Sequence, residues 1–366
     1  LALLGERLVE ARRRVADTLS SPASRSESLR HAAAEAAVLG DGPLEERDLG
    51  RVVVLGSDGP LGAVTLAALR QQSGIGDVLG AAGQAGSIAG GAVPELGVED
   101  LELLLQGVAT VVQLPRPTAP RTDTRQLWRR DVEGTRRLLE AMRRAGVDRL
   151  VHVSSAAAYS PAPEGSQVTE DWPTDGDPRS PTSLRLAYVE RMLDGFEQER
   201  SARRVVRLRP AVVLGRSPAL ALWRSLPAPV RASRWVRPSS SPLVPVVSGL
   251  RLQVVGARDV ARACCLALAK DAVGAFNLAT EPLLDAGELG RSLGAKVVPL
   301  PPVVANAVAW FAWRAGLAVG PHAVTSLTAV PMIDPGKARE QLGWVATTDS
   351  GQAIAEVLEA LADGAG

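Results

Sequence analysis

Residues 51–62 read RVVVLGSDGPLG, an apolar run from Arg51 to Leu55 that stops against glycines at 56, 59 and 62. A strand that turns sharply into a helix needs residues that tolerate φ > 0 and that let two backbones come close, and glycine does both. Pro60 suits the first turn of the following helix, where its missing N–H is not needed. The first N–H groups of such a helix are unpaired and point at whatever lies beyond the strand end, a ready site for a pyrophosphate. Gly56, Ser57, Gly59, Pro60, Leu61 and Gly62 are therefore the candidate cofactor-binding residues.

The pattern then alternates. Strands are expected at Arg51–Leu55, Asp77–Ala81, Val108–Leu114, Arg149–Ser154, Val205–Leu214 and Gly274–Ala279, with helices at Pro60–Gln71, Asp100–Gln106 and Asp131–Ala145. Interleaved strands and helices imply right-handed crossovers and an α/β, doubly wound parallel sheet covered on both faces. Residues 160–181 are rich in Pro, Gly, Ser and Asp and read as a surface loop, with Ser180-Pro181 opening a helix that ends near Phe196. Residues 1–48 show helical spacing of Leu4, Leu8, Ala11, Val15 and Leu19 and form an N-terminal helical extension. The expected division is 49–215 with 251–280 as the nucleotide-binding domain, and 216–250 with 281–366 as a smaller substrate lobe.

The chain has 366 residues, ample for a buried core, and a formal net charge of +1. That charge gives no electrostatic case for nucleic acid or an anionic membrane, so neither is expected as a partner. Only three lysines occur, a bias towards arginine common in GC-rich bacterial genomes. Cys264 and Cys265 are neighbours in a helical stretch, point about 100° apart, and read as core packing. With His31, His152 and His322 far apart, no metal-ligand spacing appears, so no metal is expected. Charged residues crowd the first twenty positions, which argues against a secretory leader and for a cytoplasmic protein. The apolar stretch Val303–Val319, broken by Asn306 and Arg314, reads as a buried or groove-lining helix.

Further motifs fall in order. DVEGTRRLLEA spans 131–141, LVHVSSAAAYS 150–160, RLRPAVVLG 207–215, RDVARACCLAL 258–268 and GAFNLAT 274–280. With the glycine turn, this set resembles the extended short-chain dehydrogenase/reductase family, the NAD-dependent epimerases and dehydratases. The resemblance covers roughly residues 50–362 and implies a Rossmann-type fold with a smaller C-terminal substrate lobe, NAD or NADP as cofactor, a small-molecule ligand between the lobes, and a homodimer. It also implies a Tyr that exchanges a proton and a Lys four residues on that lowers its pKa. Here Tyr159 is followed at that distance by Pro163, and Tyr188 by Met192. Alignment on Glu190 puts Thr182 at the Tyr position and Leu186 at the Lys position. Ser155 matches the family's third catalytic residue, while Ala156 and Ala157 stand where sugar 4,6-dehydratases carry an acid–base pair.

The cofactor side departs as well. Ala82 takes the place of the acid that binds the adenosine ribose, and Asp58 puts an anion inside the glycine turn. In VVQLPRP (111–117), Leu114 stands where the family lines the cofactor, and Pro115 removes a donor. On a helix, Thr182, Arg185 and Leu186 share one face, so Arg185 is a candidate fixed cation, although a guanidinium does not shuttle protons. Tyr159 is a candidate substrate-binding residue, and the candidate catalytic set is thus Ser155, Thr182, Arg185 and Tyr159. Asp259 is expected to cap a helix, and Glu170 and Asp171 to be solvated loop acids.

Two functional classes follow. One is a divergent member without standard hydride transfer, either a non-redox isomerase or cyclase or a ligand-binding pseudoenzyme, with Trp310, Phe311 and Trp313 as an apolar ligand wall. The other is an NAD(P)-dependent epimerase or reductase with an unconventional proton donor near Ser155.

Overall fold

A computed structural model describes residues 49–81, 96–115, 123–163, 165–225, 243–293, 296–314 and 330–364. The helical extension at 1–48, the ribose position Ala82 and the side chain of Trp313 lie outside the described residues.

Strands β1 (Arg51–Leu55) and β2 (Asp77–Ala81) flank helix α1 (Pro60–Arg70). Helix α2 (Val98–Leu104) leads to β3 (Thr110–Gln113). Helix α3 (Thr124–Trp128) runs through a wide turn at Arg129–Glu133 into α4 (Gly134–Ala145), followed by β4 (Arg149–Val153). The short β5 (Gln167–Val168) lies in the loop before α5 (Pro181–Gln198). Then come β6 (Arg204–Pro210), β7 (Val212–Leu214), α6 (Arg216–Ser225), β8 (Leu243–Val247), β9 (Arg251–Leu252) and β10 (Val254–Gly256). The chain continues with α7 (Ala257–Ala269), β11 (Gly274–Leu278), β12 (Leu284–Asp285), α8 (Ala286–Leu293), β13 (Lys296–Leu300), α9 (Pro302–Arg314), β14 (Met332–Ile333) and α10 (Ser350–Gly364).

Six strands form one sheet in the order β11-β6-β4-β3-β1-β2, parallel throughout. Its central strands are nearly continuous apolar runs because both faces are covered. On one face α1 and α7 supply Leu61, Val64, Leu69, Val260 and Cys264 to a core that also takes in Trp344. On the other, α2, α4 and α5 contribute Leu101, Leu138, Met142, Leu193 and Phe196. Burying each large aliphatic side chain contributes about 1.5–3 kcal/mol, so the two layers supply most of the driving force. The expected α/β, doubly wound class is therefore the observed one.

The strand expected at Val205–Leu214 is two. Pro210 ends β6, the Ala211 amide still bonds to Leu278 of β11, and the Val212 amide turns to Gln253, so β7 pairs with β10 in a separate ribbon. Outside the main sheet, β8 pairs with β13 and β9 with β12. Cys264 and Cys265 are free and buried, and burial pushes the Cys265 thiol up to about 12. No helix among the described residues is long and apolar enough to cross a membrane, and no group of metal-binding side chains among them can hold an ion.

Candidate functional site

The chain leaves β1 outward to β2 and returns to β3 on the other side of β1. Such a reversal opens a crevice at the carboxyl ends of the two strands. Gly56 stands there with φ +82, and a Cβ on it would lie 3.0 Å from the Leu114 carbonyl oxygen. The Leu114 amide in turn bonds to Leu55 at 3.1 Å. Gly56 and Ser57 donate to the Ala81 carbonyl, and Gly59 donates back to Gly56 at 3.0 Å, which closes the turn. A Cβ on Gly62 would sit 2.0 Å from the Gly56 oxygen, so only glycine lets α1 start this close to β1.

The first intrahelical bond to pass Gly59 is made by Ala63. The amides of Leu61 and Gly62 precede it and are the donors that an anion in the crevice would meet. Pro60 has no amide to add. The Ser57 hydroxyl packs against Gly80, where a Cβ would lie 2.9 Å from it. The backbone of the turn thus fits a pyrophosphate, with one donor fewer than a non-proline at position 60 would give and with the exposed Asp58 as an opposing charge.

Ser155 follows β4 in extended conformation and caps the short turn Ala156–Ala158, its Oγ accepting from the Ala157 amide at 3.2 Å. Thr182 is the second residue of α5 and is half-buried. The start of α5 is locked to the Ser155 turn. Ser183 Oγ donates to the Ala157 carbonyl and accepts from the Asp177 amide at 2.7 Å, and Ser180 caps the helix by accepting from the Ser183 amide. The turn that follows Ser155 and the start of α5, which carries Thr182, are therefore joined through Ser183 and Ala157.

Arg185 and Tyr159 go elsewhere. Arg185 is buried, and its Nε lies 2.8 Å from Asp131, which also binds Arg130 Nε at 2.7 Å. Burial pulls its pKa down, with Asp131 opposing. Tyr159 is 1% exposed; its hydroxyl donates to Asn277 Oδ1 at 2.8 Å and accepts from Arg209 Nη1 at 2.9 Å. Burial pushes that phenol up to about 12 against the opposing pull of the guanidinium. Tyr188 is exposed and tilts against Trp128 with centroids 5.1 Å apart.

Two buried polar arrays were not singled out from the sequence. Arg209 grips Glu190 through two bonds, at 3.1 and 2.9 Å, and burial would raise the Glu190 pKa but those bonds hold it below the usual range. His152 Nδ1 lies 3.0 Å from Gln113 Oε1, whose amide donates to Thr135 at 2.9 Å. Burial drives His152 down to about 4, with Glu190 pulling the other way. The polar residues Gln113 and His152 inside apolar strand runs were the available signal, since such groups are buried only when paired.

Glu170 is not a solvated acid. Its Oε1 accepts from the Asn277 amide at 2.7 Å, covering the open edge of β11, and burial raises its pKa. Asp259 does not cap its own helix but accepts from the Thr347 amide and hydroxyl at 2.8 and 2.7 Å. Trp310 and Phe311 do not wall an inner site; they are 43% and 67% exposed. An open depression of about 390 Å³ lies apart from the glycine turn, against Thr280, Glu281, Arg339 and Asp349. Glu281 and Arg339 pair with each other there at 3.1 Å.

The family model for the NAD-dependent epimerase/dehydratase family matches residues 52–279, from β1 to just past β11. The chain belongs to that family. The UDP-glucose 4-epimerase of Thermus thermophilus, solved with NAD, superposes with a TM-score of 0.59 at 21% identity over 85% of this chain and 99% of that one. DesIV, a dTDP-glucose 4,6-dehydratase from Streptomyces venezuelae with NAD and TYD bound, gives 0.62 at 19% over 86% and 97%. The structure of gox2253 gives 0.62 at 19% over 85% and 98%. At these identities the superpositions establish the Rossmann-type fold. Comparison with curated proteins finds no match.

Proposed function

We propose that this chain is a divergent epimerase/dehydratase-family protein without standard hydride-transfer catalysis, which binds a small molecule in the crevice beyond β1, β3 and β4. The observation that carries this is the start of α5. Thr182 and Leu186 stand at the Tyr and Lys positions of the alignment, and the nearest cation on that face, Arg185, is buried 2.8 Å from Asp131, a carboxylate it shares with Arg130. A threonine hydroxyl is no base near neutral pH, and a buried guanidinium neither loses its proton nor leaves its carboxylate cheaply. Tyr159, with both its hydroxyl partners inside the protein, serves as a pin rather than a proton donor.

NAD or NADP is the candidate cofactor. The amides of Leu61 and Gly62 would hold its pyrophosphate, with Gly56, Ser57, Gly59 and Leu114 shaping the crevice, and a bound dinucleotide would supply hydride acceptance. A non-redox isomerase or cyclase and a ligand-binding pseudoenzyme both accord with this reading. One observation favours an active NAD(P)-linked epimerase or reductase instead: the hydroxyls of Ser155 and Thr182 belong to turns joined through Ser183 and Ala157. Buried, free cysteines accord with a reducing, cytoplasmic setting. The exposed cluster of Trp128, Leu184 and Tyr188 on α3 and α5 is the patch through which a homodimer would form.

Calorimetric titration with NAD⁺, NADH, NADP⁺ and NADPH, paired with a nucleotide-sugar turnover assay, tests the proposal. Micromolar binding without turnover is expected. Oxidation or epimerisation of a nucleotide sugar at an ordinary enzymatic rate would overturn it, and Ser155→Ala and Thr182→Val would then locate the donor. Absence of binding to all four removes redox chemistry and leaves the non-redox pocket.

A further inference from the structure

Helix α9 is built inside out. Val303, Val304, Val308, Trp310 and Phe311 are exposed at 80, 44, 56, 43 and 67%, while Ala305 is buried. At 100° per residue, the five exposed side chains sweep an arc of about 160°, with Ala305 opposite. A globular helix turns its large apolar side chains to the core, so this arrangement marks a face made to be covered. Trp310 and Phe311 stack edge to face with centroids 4.9 Å apart, which presents them as one apolar block. Val298 of the preceding β13 is exposed at 39% and extends the patch.

Charge indicates what covers it. Between Glu288 and Asp334 lie 45 residues without one Asp or Glu, where the chain's 40 acids in 366 residues would place about five. The same stretch carries Lys296 and Arg314, and Arg291, which pairs with Glu288. Residues 210–256 are likewise free of acids and carry six arginines. Strand β8 of the second stretch pairs with β13 of the first, with Leu243 beside Lys296. The net charge of +1 conceals this imbalance, because the acids are gathered in the rest of the chain. An apolar face carried by a stretch that has Lys296 and Arg314 and no acid is complementary to an anionic lipid surface, where Trp and Phe enter the headgroup boundary and acids would be repelled.

We propose that α9 and β13 dock this protein on an anionic lipid surface, with Val303, Val304, Val308, Trp310 and Phe311 inserted at the interface. Insertion is peripheral, since α9 has 13 residues and a span needs about 20.

The test is co-sedimentation of the full chain with vesicles of phosphatidylcholine alone and of phosphatidylcholine with phosphatidylglycerol. The expected result is at least tenfold stronger partitioning to the anionic vesicles, weakened by salt. It should be abolished in Val303→Asp/Phe311→Asp, whose circular dichroism and melting stay as in the parent because both side chains are exposed. Equal binding to both vesicle types, or undiminished binding of the double variant, would overturn the proposal. So would absence of binding together with a sedimentation coefficient that falls in the double variant, which would assign the face to a second copy of the chain. A monomer that binds neither vesicle would overturn it as well.

Discussion

His152 shows how one buried side chain carries a pH dependence for the whole chain. It is held neutral between Gln113 and the interior of the sheet, and its pKa falls from 6.5 to about 4. The unfolded chain therefore takes up a proton below about pH 6.5 that the folded chain accepts only near pH 4. Stability from this group is complete above pH 6.5 and is lost as pH falls towards 4. At 1.36 kcal/mol per pKa unit, the loss is on the order of 3 kcal/mol. Urea unfolding at a series of pH values should show this slope, and His152→Gln should flatten it between pH 6.5 and 4; an unchanged slope would assign the acid sensitivity to other groups. Gly62 tolerates no change for a steric reason. A methyl group 2.0 Å from the Gly56 oxygen must displace backbone, not a flexible side chain. Gly62→Ala should cost at least about 3 kcal/mol, the upper end of overpacking effects, and lower the melting temperature together with any dinucleotide affinity. A variant that melts like the parent would show that α1 can move away from β1.

Among the elements, β11 is one edge of the main sheet, and edges with unpaired amides invite mispairing. The loop before α5 covers it. Glu170 accepts from the Asn277 amide, Asn277 Nδ2 donates to Val168 and Asp334, and β5 pairs with β14 alongside. Glu170→Ala should cost about 1 kcal/mol, the usual worth of such a bond, and speed hydrogen exchange at the Asn277 amide by an order of magnitude. Unaltered exchange there would mean that water, not Glu170, is excluded by the loop. This arrangement also explains why an acid in a Pro- and Ser-rich loop is not solvated: its partner lies 107 positions away in sequence.

At the scale of the molecule, two exposed apolar patches among the described residues stand apart in sequence, Trp128 with Leu184 and Tyr188, and the outer face of α9. The first is proposed as the homodimer face. Leu184→Asp/Tyr188→Asp should convert a dimer to a monomer in sedimentation velocity while leaving vesicle binding intact, because neither residue belongs to the proposed lipid-docking face. A dimer that persists would exclude the α5 patch as its interface.

The glycine turn, the order of strands and helices and the absence of any Tyr-x-x-x-Lys stretch were legible in the sequence, because each is set by neighbours a few residues apart. Local φ preference, a period of two or 3.6, and a helical cap are all written in short stretches, and the family's ordered motifs added the sheet they build. The fate of individual polar side chains was not. Tyr159 stands one strand-end from Ser155 in sequence, yet Asn277 and Arg209 claim its hydroxyl. Arg185 shares a face with Thr182, yet it is buried against Asp131, on a different helical segment. The α9 helix has the composition of a core helix, and only its surroundings show that Ala305 is turned inward and Phe311 outward. Pairing and burial depend on which distant segments meet, and that is decided by the tertiary packing of both sheet faces rather than by any one stretch of chain.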